Sequence, residues 1–559
     1  MDRRCRQICR LWVNRSGSVD RWWRSVFLGQ LDRCLWKRSV LVEEIIVFFS
    51  PFILLFPSDF FSQQNHKITL APASTTEFEK SWPLFFSLSF LISCEVSMGE
   101  SSAQSMSKCT ELTLNRNAVI DTDRISNLPD SLLYHILSLL PTKEAVATAI
   151  LSNRWKPLWT LVPTLDIKDN CCKKPISFTY IVYRVLALHI APSLRSFRLT
   201  WYSPCNSFHL DTWIHFALAR NVQQLHLEIY LDGRQDDSHV YVGKFFWLPR
   251  SLFTCKTVVV LELSGGIVLN PPPSFQFASL KILRLSKISY GPTNNISTFI
   301  SGCPVLEDLS VVRECMDNVF SFKINVHTLK RLHIEFKSYK PEPPDYNLEI
   351  HTPALEYFRF SGHLRNIVFH EKLAHLIEAR VDIYALEDWT RVYEIYYGDR
   401  IFKLLRALNN AKFLSLFSGD KECIAFGSIY PSMFQNLVRL NFKVTPSNWH
   451  VLLALLLVAP NLEVLVVNKD YDNENRFCWM ELPDAPGCLS SCLTTFNFDG
   501  FEELEHEVKF VMYILKKARA LNTMTIKIPA KLSKEGVFET LSMFPRLSTT
   551  CLITVEKGI

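Results

Sequence analysis

The chain has 559 residues, too many for a single compact core, which predicts two or more domains or one elongated repeat array. Its content of 48% hydrophobic and 21% charged residues is that of a folded protein and excludes a disordered one. Residues 1–40 hold ten Lys or Arg against three Asp, a balance of +7, so the net charge of +6 leaves −1 for residues 41–559. The bulk of the protein therefore has no overall electrostatic attraction to nucleic acid or to acidic membranes.

The first 121 residues differ from the rest of the chain. A basic, Trp-rich start is followed by two apolar runs, 45–57 and 82–94, which are shorter than the roughly 20 residues that a membrane-spanning helix needs. We expect little packed structure in residues 1–121, either because they are disordered or because they are a translated upstream stretch outside the working protein. In the second case Met98 or Met106 is the natural start. A membrane anchor within residues 1–97 is the alternative.

Residues 122–168 are predicted to form a small unit of three helices. Pro129 suits the first turn of a helix, and Pro141 ends that helix because proline cannot continue it. Apolar residues recur at helical spacing between the two prolines: Leu132, Ile136 and Leu140 on one stripe, with Leu133 and Leu137 beside it.

The second and third helices follow at once. Thr142 is expected to cap the second, whose buried stripe would be Val146 and Ile150. Ser152 would cap the third, which presents Trp155, Leu158 and Trp159. These apolar side chains outnumber those that three short helices bury among themselves, and a polar stretch, 168–174, separates the unit from the next region. Both features indicate a docking surface rather than a purely structural subdomain.

An internal repeat runs through residues 190–475. Its strand pattern, apolar-x-x-apolar-x-apolar, occurs nine times: Leu194/Phe197/Leu199, Val222/Leu225/Leu227, Val258/Leu261/Leu263, Leu280/Leu283/Leu285, Leu306/Leu309/Val311, Leu329/Leu332/Ile334, Leu355/Phe358/Phe360, Leu437/Leu440/Phe442 and Leu462/Leu465/Val467. A single strand–helix unit cannot bury its apolar face alone, whereas stacked copies share a continuous core. The pattern therefore predicts an α/β solenoid of parallel strands and helices, with a polar surface insertion at 232–244.

The pattern of apolar strands and connecting helices continues in residues 483–559. A strand at Leu493/Phe496/Phe498 precedes a helix over 501–520, which begins with glutamates and ends with lysines and an arginine, as the helix dipole favours. Two more strands are predicted from alternating apolar residues: Leu521/Met524/Ile526 and Cys551/Ile553/Val555.

The sequence carries no motif for catalysis. It lacks a phosphate-binding Gly-x-x-x-x-Gly-Lys, a Gly-x-Gly-x-x-Gly, a His-Glu-x-x-His and a Gly-x-Ser-x-Gly. Sixteen cysteines without zinc spacing are expected to be reduced core thiols, and histidines in the repeats, such as His226, His327, His333 and His351, to be surface or hydrogen-bonded residues rather than ligands. We therefore predict no enzyme activity, no cofactor and no metal.

Three segments resemble one plant family. Residues 123–133, 135–143 and 151–159, extended through 162–166, closely resemble the plant F-box. The stretch Gly-Cys-Pro-Val-Leu-Glu-Asp-Leu from Gly302 resembles the leucine-rich repeats that accompany it, and residues from Cys488 to Val555 look like the FBD domain at the C-terminus of such proteins. The repeats lack the usual asparagine ladder after the strand, which makes their curvature hard to predict.

The resemblance implies a substrate receptor of a ubiquitin ligase. The F-box would bind a Skp adaptor and through it a cullin scaffold, while the repeats would bind an unknown protein substrate, in the cytoplasm, the nucleus or both. The family pattern suggests these residues as F-box core and adaptor-binding surface: Leu128, Pro129, Leu132, Ile136, Leu137, Leu140, Pro141, Val146, Ile150, Leu151, Trp155, Leu158 and Trp159. A repeat scaffold without ligase function and a small-molecule co-receptor are the alternatives, and no nucleic acid or membrane partner is expected.

Overall fold

The structure is a computed structural model that describes residue 125 and residues 128–558 except for the segments 170–174, 203–206, 231–244, 292–295, 315–318, 320, 338–345, 385–399, 419–432, 446–447 and 470–484. The described residues belong to one compact unit, 114–559. The expectations for residues 1–121 and for the 232–244 insertion lie outside them, as does most of the polar stretch 168–174.

Strands occur from the end of the F-box segment to the C-terminus. In chain order they are β1 Thr164–Lys168, β2 Ser196–Trp201, β3 Gln224–Ile229, β4 Phe246–Trp247, β5 Val260–Gly265, β6 Ile267–Leu269, β7 Ile282–Ser286, β8 Ser289–Tyr290, β9 Asp308–Glu314, β10 Ser321–Asn325, β11 Arg331–Lys337, β12 Asn347–His351, β13 Tyr357–Gly362, β14 Asn366–Phe369, β15 Glu378–Ile383, β16 Phe413–Ser418, β17 Arg439–Val444, β18 Val464–Lys469, β19 Thr495–Asp499, β20 Thr523–Ile528 and β21 Leu552–Lys557.

Helices connect many of these strands. They are α1 Asp130–Leu137, α2 Thr142–Ala147, α3 Pro175–Leu188, α4 Ser207–Ala219, α5 Ile296–Ser301, α6 Trp449–Val458, α7 Gly487–Ser491, α8 Glu505–Lys517 and α9 Lys534–Ser542. Residues 400–407 are also helical. None of the helices in the described part of the chain is both long enough and apolar enough to cross a membrane. The helix predicted over 501–520 is shorter than expected, since it begins at Glu505.

One parallel sheet runs the length of the described chain. It contains 15 strands in the order β1, β2, β3, β5, β7, β9, β11, β13 and then β15 to β21, and neighbours pair in parallel register. The predicted solenoid is therefore confirmed. All nine repeat copies and the three C-terminal strands bury their marked apolar residues, which form one continuous core cluster.

Three strands of the main sheet, β1, β15 and β16, do not appear in the predicted series. β15 and β16 fill the interval between the copies at Leu355 and Leu437. Ala379 in β15 and Ala411, two residues before β16, stand where most other copies have a large aliphatic side chain. Both alanines are fully buried. Alanine can be buried like the larger residues, but it makes the apolar strand pattern harder to recognise. The sequence analysis therefore did not predict these two strands, although the sheet continues through them.

Two small three-stranded parallel sheets lie outside the main one. They pair β4, β6 and β8, and β10, β12 and β14. Each of their strands follows a strand of the main sheet within the same repeat, so these six repeats contain a second short strand, and the repeat of β7 and β8 also contains α5. The sequence analysis predicted helices between strands and did not separate these second strands from loops, because they are only two to five residues long.

The FBD region continues the main sheet as its last three strands. At the junction, Lys469 at the end of β18 donates hydrogen bonds to Glu502 and Glu507 at 2.8 and 2.6 Å. Glu507 is completely buried, and its second oxygen accepts the backbone N–H groups of Glu502 and Leu504 at 2.8 and 3.2 Å. Burial alone would lower the pKa of Lys469, but the hydrogen bonds to both glutamates outweigh it and raise that pKa. This network joins α8 to the last repeat strand before it.

Candidate functional site

The F-box segment has a small hydrophobic core of its own. Its buried residues come from α1, from α2 and from the turns that follow: Leu133, Leu137, Ala145, Trp155, Leu158, Trp159 and Val162. Arg154, in the turns after α2, connects this part of the chain to the start of α1. Its guanidinium contacts a carboxylate oxygen of Asp130 at 2.6 Å and donates to the Leu128 carbonyl at 2.5 Å. The segment is therefore folded around these contacts and not only by packing on a partner.

The local structure corrects two details of the predicted helical unit. Pro141, not Thr142, occupies the cap position of α2. Thr142 is buried instead, and its hydroxyl accepts the backbone N–H of Asp166 in β1 at 2.8 Å. The predicted third helix capped by Ser152 is a series of turns followed by a 3-10 helix over Leu158–Leu161.

The buried stripe of α2 was also predicted wrongly. Ala145 and Ala149 face the interior, whereas Val146 is half-buried and Ile150 is 67% exposed. The chain changes from an α-helix to a 3-10 helix at Thr148, which shifts the phase of the exposed positions. The small side chains of the two alanines permit close packing of this short segment, and the larger apolar side chains of Val146 and Ile150 lie on the more exposed side.

The F-box segment packs directly on the first repeat. Val185 and Leu188 of α3 contact its core cluster. His189 contacts the Val162 carbonyl through Nε2 at 2.8 Å, and burial lowers the pKa of this histidine. β1, which lies within the predicted F-box range, is the first strand of the main sheet. The expectation that a polar stretch replaces continuous packing is therefore wrong.

Several large apolar side chains of the F-box segment nevertheless face solvent. Leu132, Ile136 and Leu139 follow one another at helical spacing along α1 and its C-terminal turn, and they are 48%, 42% and 72% exposed. Ile150 and Leu151, after α2, are 67% and 62% exposed. We call these five the exposed F-box residues. A group of exposed large apolar side chains within some 20 positions is typical of a protein-binding surface.

The predicted site residues fall into three groups. Pro129, Leu132, Ile136, Ile150 and Leu151 are exposed; Leu128, Leu140, Pro141 and Val146 are half-buried; Leu137, Trp155, Leu158 and Trp159 are buried in the F-box core. The buried group stabilises the unit and does not reach solvent. Leu139 was missed by the sequence analysis, although it continues the spacing of Leu132 and Ile136 by one further turn.

The outward face of the main sheet carries a shallow groove that is lined by both charged and aliphatic residues. Its central contacts join Glu262 to His226, through Nδ1 at 2.6 Å, and to the Arg284 guanidinium. The hydrogen bond with His226 is the main cause that lowers the pKa of Glu262 to about 2, against a smaller opposing effect of burial, and Arg284 lowers it further. Beside it, Glu228 accepts hydrogen bonds from Thr200 and Tyr230 at 3.1 and 3.0 Å. Both signs of charge are therefore presented within one groove.

Comparisons with known proteins match the same three parts. The model of the F-box domain matches residues 125–165. The model of the LRR repeats of the FBD-associated F-box protein At5g56370 matches residues 210–361, and the FBD model matches residues 483–526. An F-box joined to leucine-rich repeats indicates a substrate-adaptor protein, because an F-box is a unit that binds Skp-type adaptors, and proteins of this kind are generally not enzymes.

Full-length relatives have the same arrangement. The chain is 32% identical over 445 residues to the F-box/FBD/LRR-repeat protein At5g56420 of Arabidopsis thaliana, across 77% of this chain and 98% of the relative. It is 34% identical over 433 residues to the F-box/FBD/LRR-repeat protein At4g00160 of the same plant, across 74% of this chain and 88% of the relative. The chain belongs to the plant F-box/FBD/LRR-repeat family.

Proposed function

We propose that the protein is the substrate-recognition subunit of a Skp–cullin–F-box ubiquitin ligase. The F-box docks on the Skp adaptor, which is bound to the cullin scaffold, and the repeats hold a target protein. Ubiquitin transfer takes place on the partner proteins, so this chain supplies no catalytic residue and needs no cofactor. The observation that carries the proposal is the set of exposed F-box residues.

These residues suit an adaptor interface for an energetic reason. Each large aliphatic side chain that is half-exposed gains roughly 1 kcal/mol when a partner removes the rest of its surface from water. The underlying core and the Arg154–Asp130 contact hold α1 in place before binding, so little ordering cost opposes that gain. Leu132, Ile136 and Leu139 on α1 are therefore the main expected anchors.

The target is expected to bind the outward face of the repeats. The groove at Glu262 presents carboxylates and guanidinium groups together, which suits a protein surface that carries both kinds of charge. The groove is shallow and open rather than enclosed, so it does not favour the small-molecule co-receptor alternative.

We propose a location in the cytoplasm, the nucleus or both. Cys255, Cys303, Cys488, Cys492 and Cys551, in the described part of the chain, are free thiols. Free thiols in a folded core are typical of reducing compartments. Imaging of the tagged full-length chain tests this, and a signal confined to a secretory compartment would contradict it.

A binding titration with purified Skp adaptor tests the proposed function. Leu132→Asp puts a charge at an exposed α1 position and should weaken binding by about 30-fold or more, as expected for an interface anchor. Leu547→Asp is the matched control, because Leu547 has nearly the same exposure, 47% against 48%, but lies in the FBD region. Both variants should keep the thermal stability of the unmodified chain. Absence of binding by the folded unmodified chain would instead support a repeat scaffold without ligase function.

A further inference from the structure

Three potential metal ligands meet on the small sheet of β10, β12 and β14. Glu349 and His351 are two positions apart on β12, and alternation along a strand puts them on the same face. His370 directly follows β14. The parallel register pairs Ile350 with Phe369, so His351 and His370 are the next neighbours across the two strands.

The side chains of these residues are close enough to share one ion. The imidazole rings of His351 and His370 are stacked, with centroids 3.9 Å apart and planes inclined by 7°. Nε2 of His370 lies 3.6 Å from Oε2 of Glu349. One ligand atom from each of the three residues can be chosen so that all lie within 4.8 Å of one another. Ligands at about 2.1 Å from a tetrahedral ion are about 3.4 Å apart, so the Glu349–His370 pair already has nearly this separation.

The backbone fixes the positions of the three residues while their side chains remain accessible. The N–H of His370 donates to the Ile350 carbonyl at 3.1 Å, and the His351 carbonyl accepts the N–H of Val326 at 3.2 Å. Glu349 and His351 are half-buried and His370 is exposed. An imidazole that turns at an exposed strand end can close the remaining difference between 4.8 Å and about 3.4 Å, about 1.4 Å, without moving the sheet.

We propose that Glu349, His351 and His370 bind one divalent transition-metal ion. Two imidazoles and one carboxylate are the ligand types that suit Zn²⁺, Ni²⁺ or Cu²⁺, whereas Ca²⁺ and Mg²⁺ prefer oxygen ligands alone. Three protein ligands leave one position of a tetrahedral ion open toward solvent, for water or for a donor from a bound protein. The site is separate from the F-box, so it does not rest on the proposed function.

Lys323 competes with the metal ion for the same carboxylate. It lies opposite Glu349 in the register of β10 and β12, and its Nζ is 3.0 Å from Oε2 of Glu349. A carboxylate is ionised at neutral pH, as a metal ligand requires, so Lys323 and a metal ion would be attracted to the same charge. A bound ion must displace this ammonium group or use the other carboxylate oxygen.

The sequence alone does not reveal this arrangement. Glu349 and His351 lie on one strand and His370 is 19 positions further on, a spacing that matches no common metal-binding motif. The strand register brings the two segments together. The sequence analysis expected His351 to be a surface or hydrogen-bonded residue and predicted no metal, so the proposal revises that expectation.

Calorimetric titration of the full-length chain with Zn²⁺, with its cysteines kept reduced, tests the site. His351→Ala and His370→Ala should each lose one bound equivalent or weaken it by about tenfold or more. His375→Ala removes another exposed histidine outside the cluster and should leave that equivalent unchanged. Thermal unfolding without metal should be the same for all variants, because the substituted side chains are exposed or half-buried.

A gain of affinity gives a second test that misfolding cannot imitate. Lys323→Gln removes the competing charge and should tighten the same equivalent by about fivefold. The proposal is overturned if His351→Ala and His370→Ala bind Zn²⁺ with the stoichiometry and affinity of the unmodified chain, since the metal would then bind only adventitiously elsewhere on the surface.

Discussion

Removal of the Glu507 carboxylate should lower the stability of the FBD region far more than removal of the Glu505 carboxylate on the same helix. Glu507 is fully buried between Lys469 on one side and the backbone N–H groups of Glu502 and Leu504 on the other. Glu507→Ala deletes one ion pair and leaves these N–H groups without their acceptor. Loss of one partner of a buried pair costs about 3–5 kcal/mol. We expect the lower value, about 3 kcal/mol, because Glu502 still neutralises Lys469 at 2.8 Å.

Hydrogen exchange of β19 and β20 measures this loss where it occurs, since a long repeat array opens by regions rather than as one unit. A loss of about 3 kcal/mol accelerates exchange through this opening by about 100-fold. Glu505→Ala is the matched control, because Glu505 lies on the same helix, is exposed and forms a surface ion pair with Lys509 four positions on. Its exchange rates should equal those of the unmodified chain. Equal rates in the Glu507→Ala and Glu505→Ala variants would refute the structural role assigned to the buried network.

Two further predictions concern the repeats. Gly265→Ala should lower the free energy of local opening by about 2 kcal/mol or more, measured by hydrogen exchange of β3 and β5, because Gly265 has φ +90° and an added Cβ would lie 2.1 Å from the Ile229 carbonyl oxygen. The paired Glu262 has a pKa of about 2 in the folded state, below that of the unfolded chain, so its contribution is present above the unfolded value of about 4.5 and is lost as the pH falls toward 2. The unmodified chain should lose about 1 kcal/mol more than Glu262→Gln over that range, since partial exposure screens the pair, and identical acid profiles would contradict this.

Periodicity was sufficient to predict the architecture because the core depends on few kinds of contact. Each repeat buries three residues in a fixed pattern, and Leu225/Leu261/Leu283 illustrate how equivalent residues align across paired strands. The same rule extends into the C-terminal strands. Where Ala379 and Ala411 replace a larger residue, the apolar pattern is too weak to be recognised in the sequence, even though the strands pair normally.

The F-box surface was less predictable than the repeat core. Leu132 and Leu133 are adjacent and chemically identical, yet one is 48% exposed and the other is completely buried. Helical spacing separates their stripes but does not decide which stripe faces inward, because that depends on the contacts made by Trp155, Trp159 and α3. The sequence did not reveal the polar network at Glu507 or the His351–His370 pair for a related reason. Packing of α8 on the end of β18 brings Glu507 to Lys469, and strand register brings His351 to His370, so sequence spacing shows neither.

Assembly of the full-length chain with purified Skp adaptor and cullin, followed by size-exclusion chromatography with light scattering, tests the central claim most directly. The unmodified chain should elute in one complex with both partners, and Leu132→Asp should elute alone while remaining folded. Failure of the folded unmodified chain to join the adaptor and the cullin would contradict its assignment as a ubiquitin-ligase subunit.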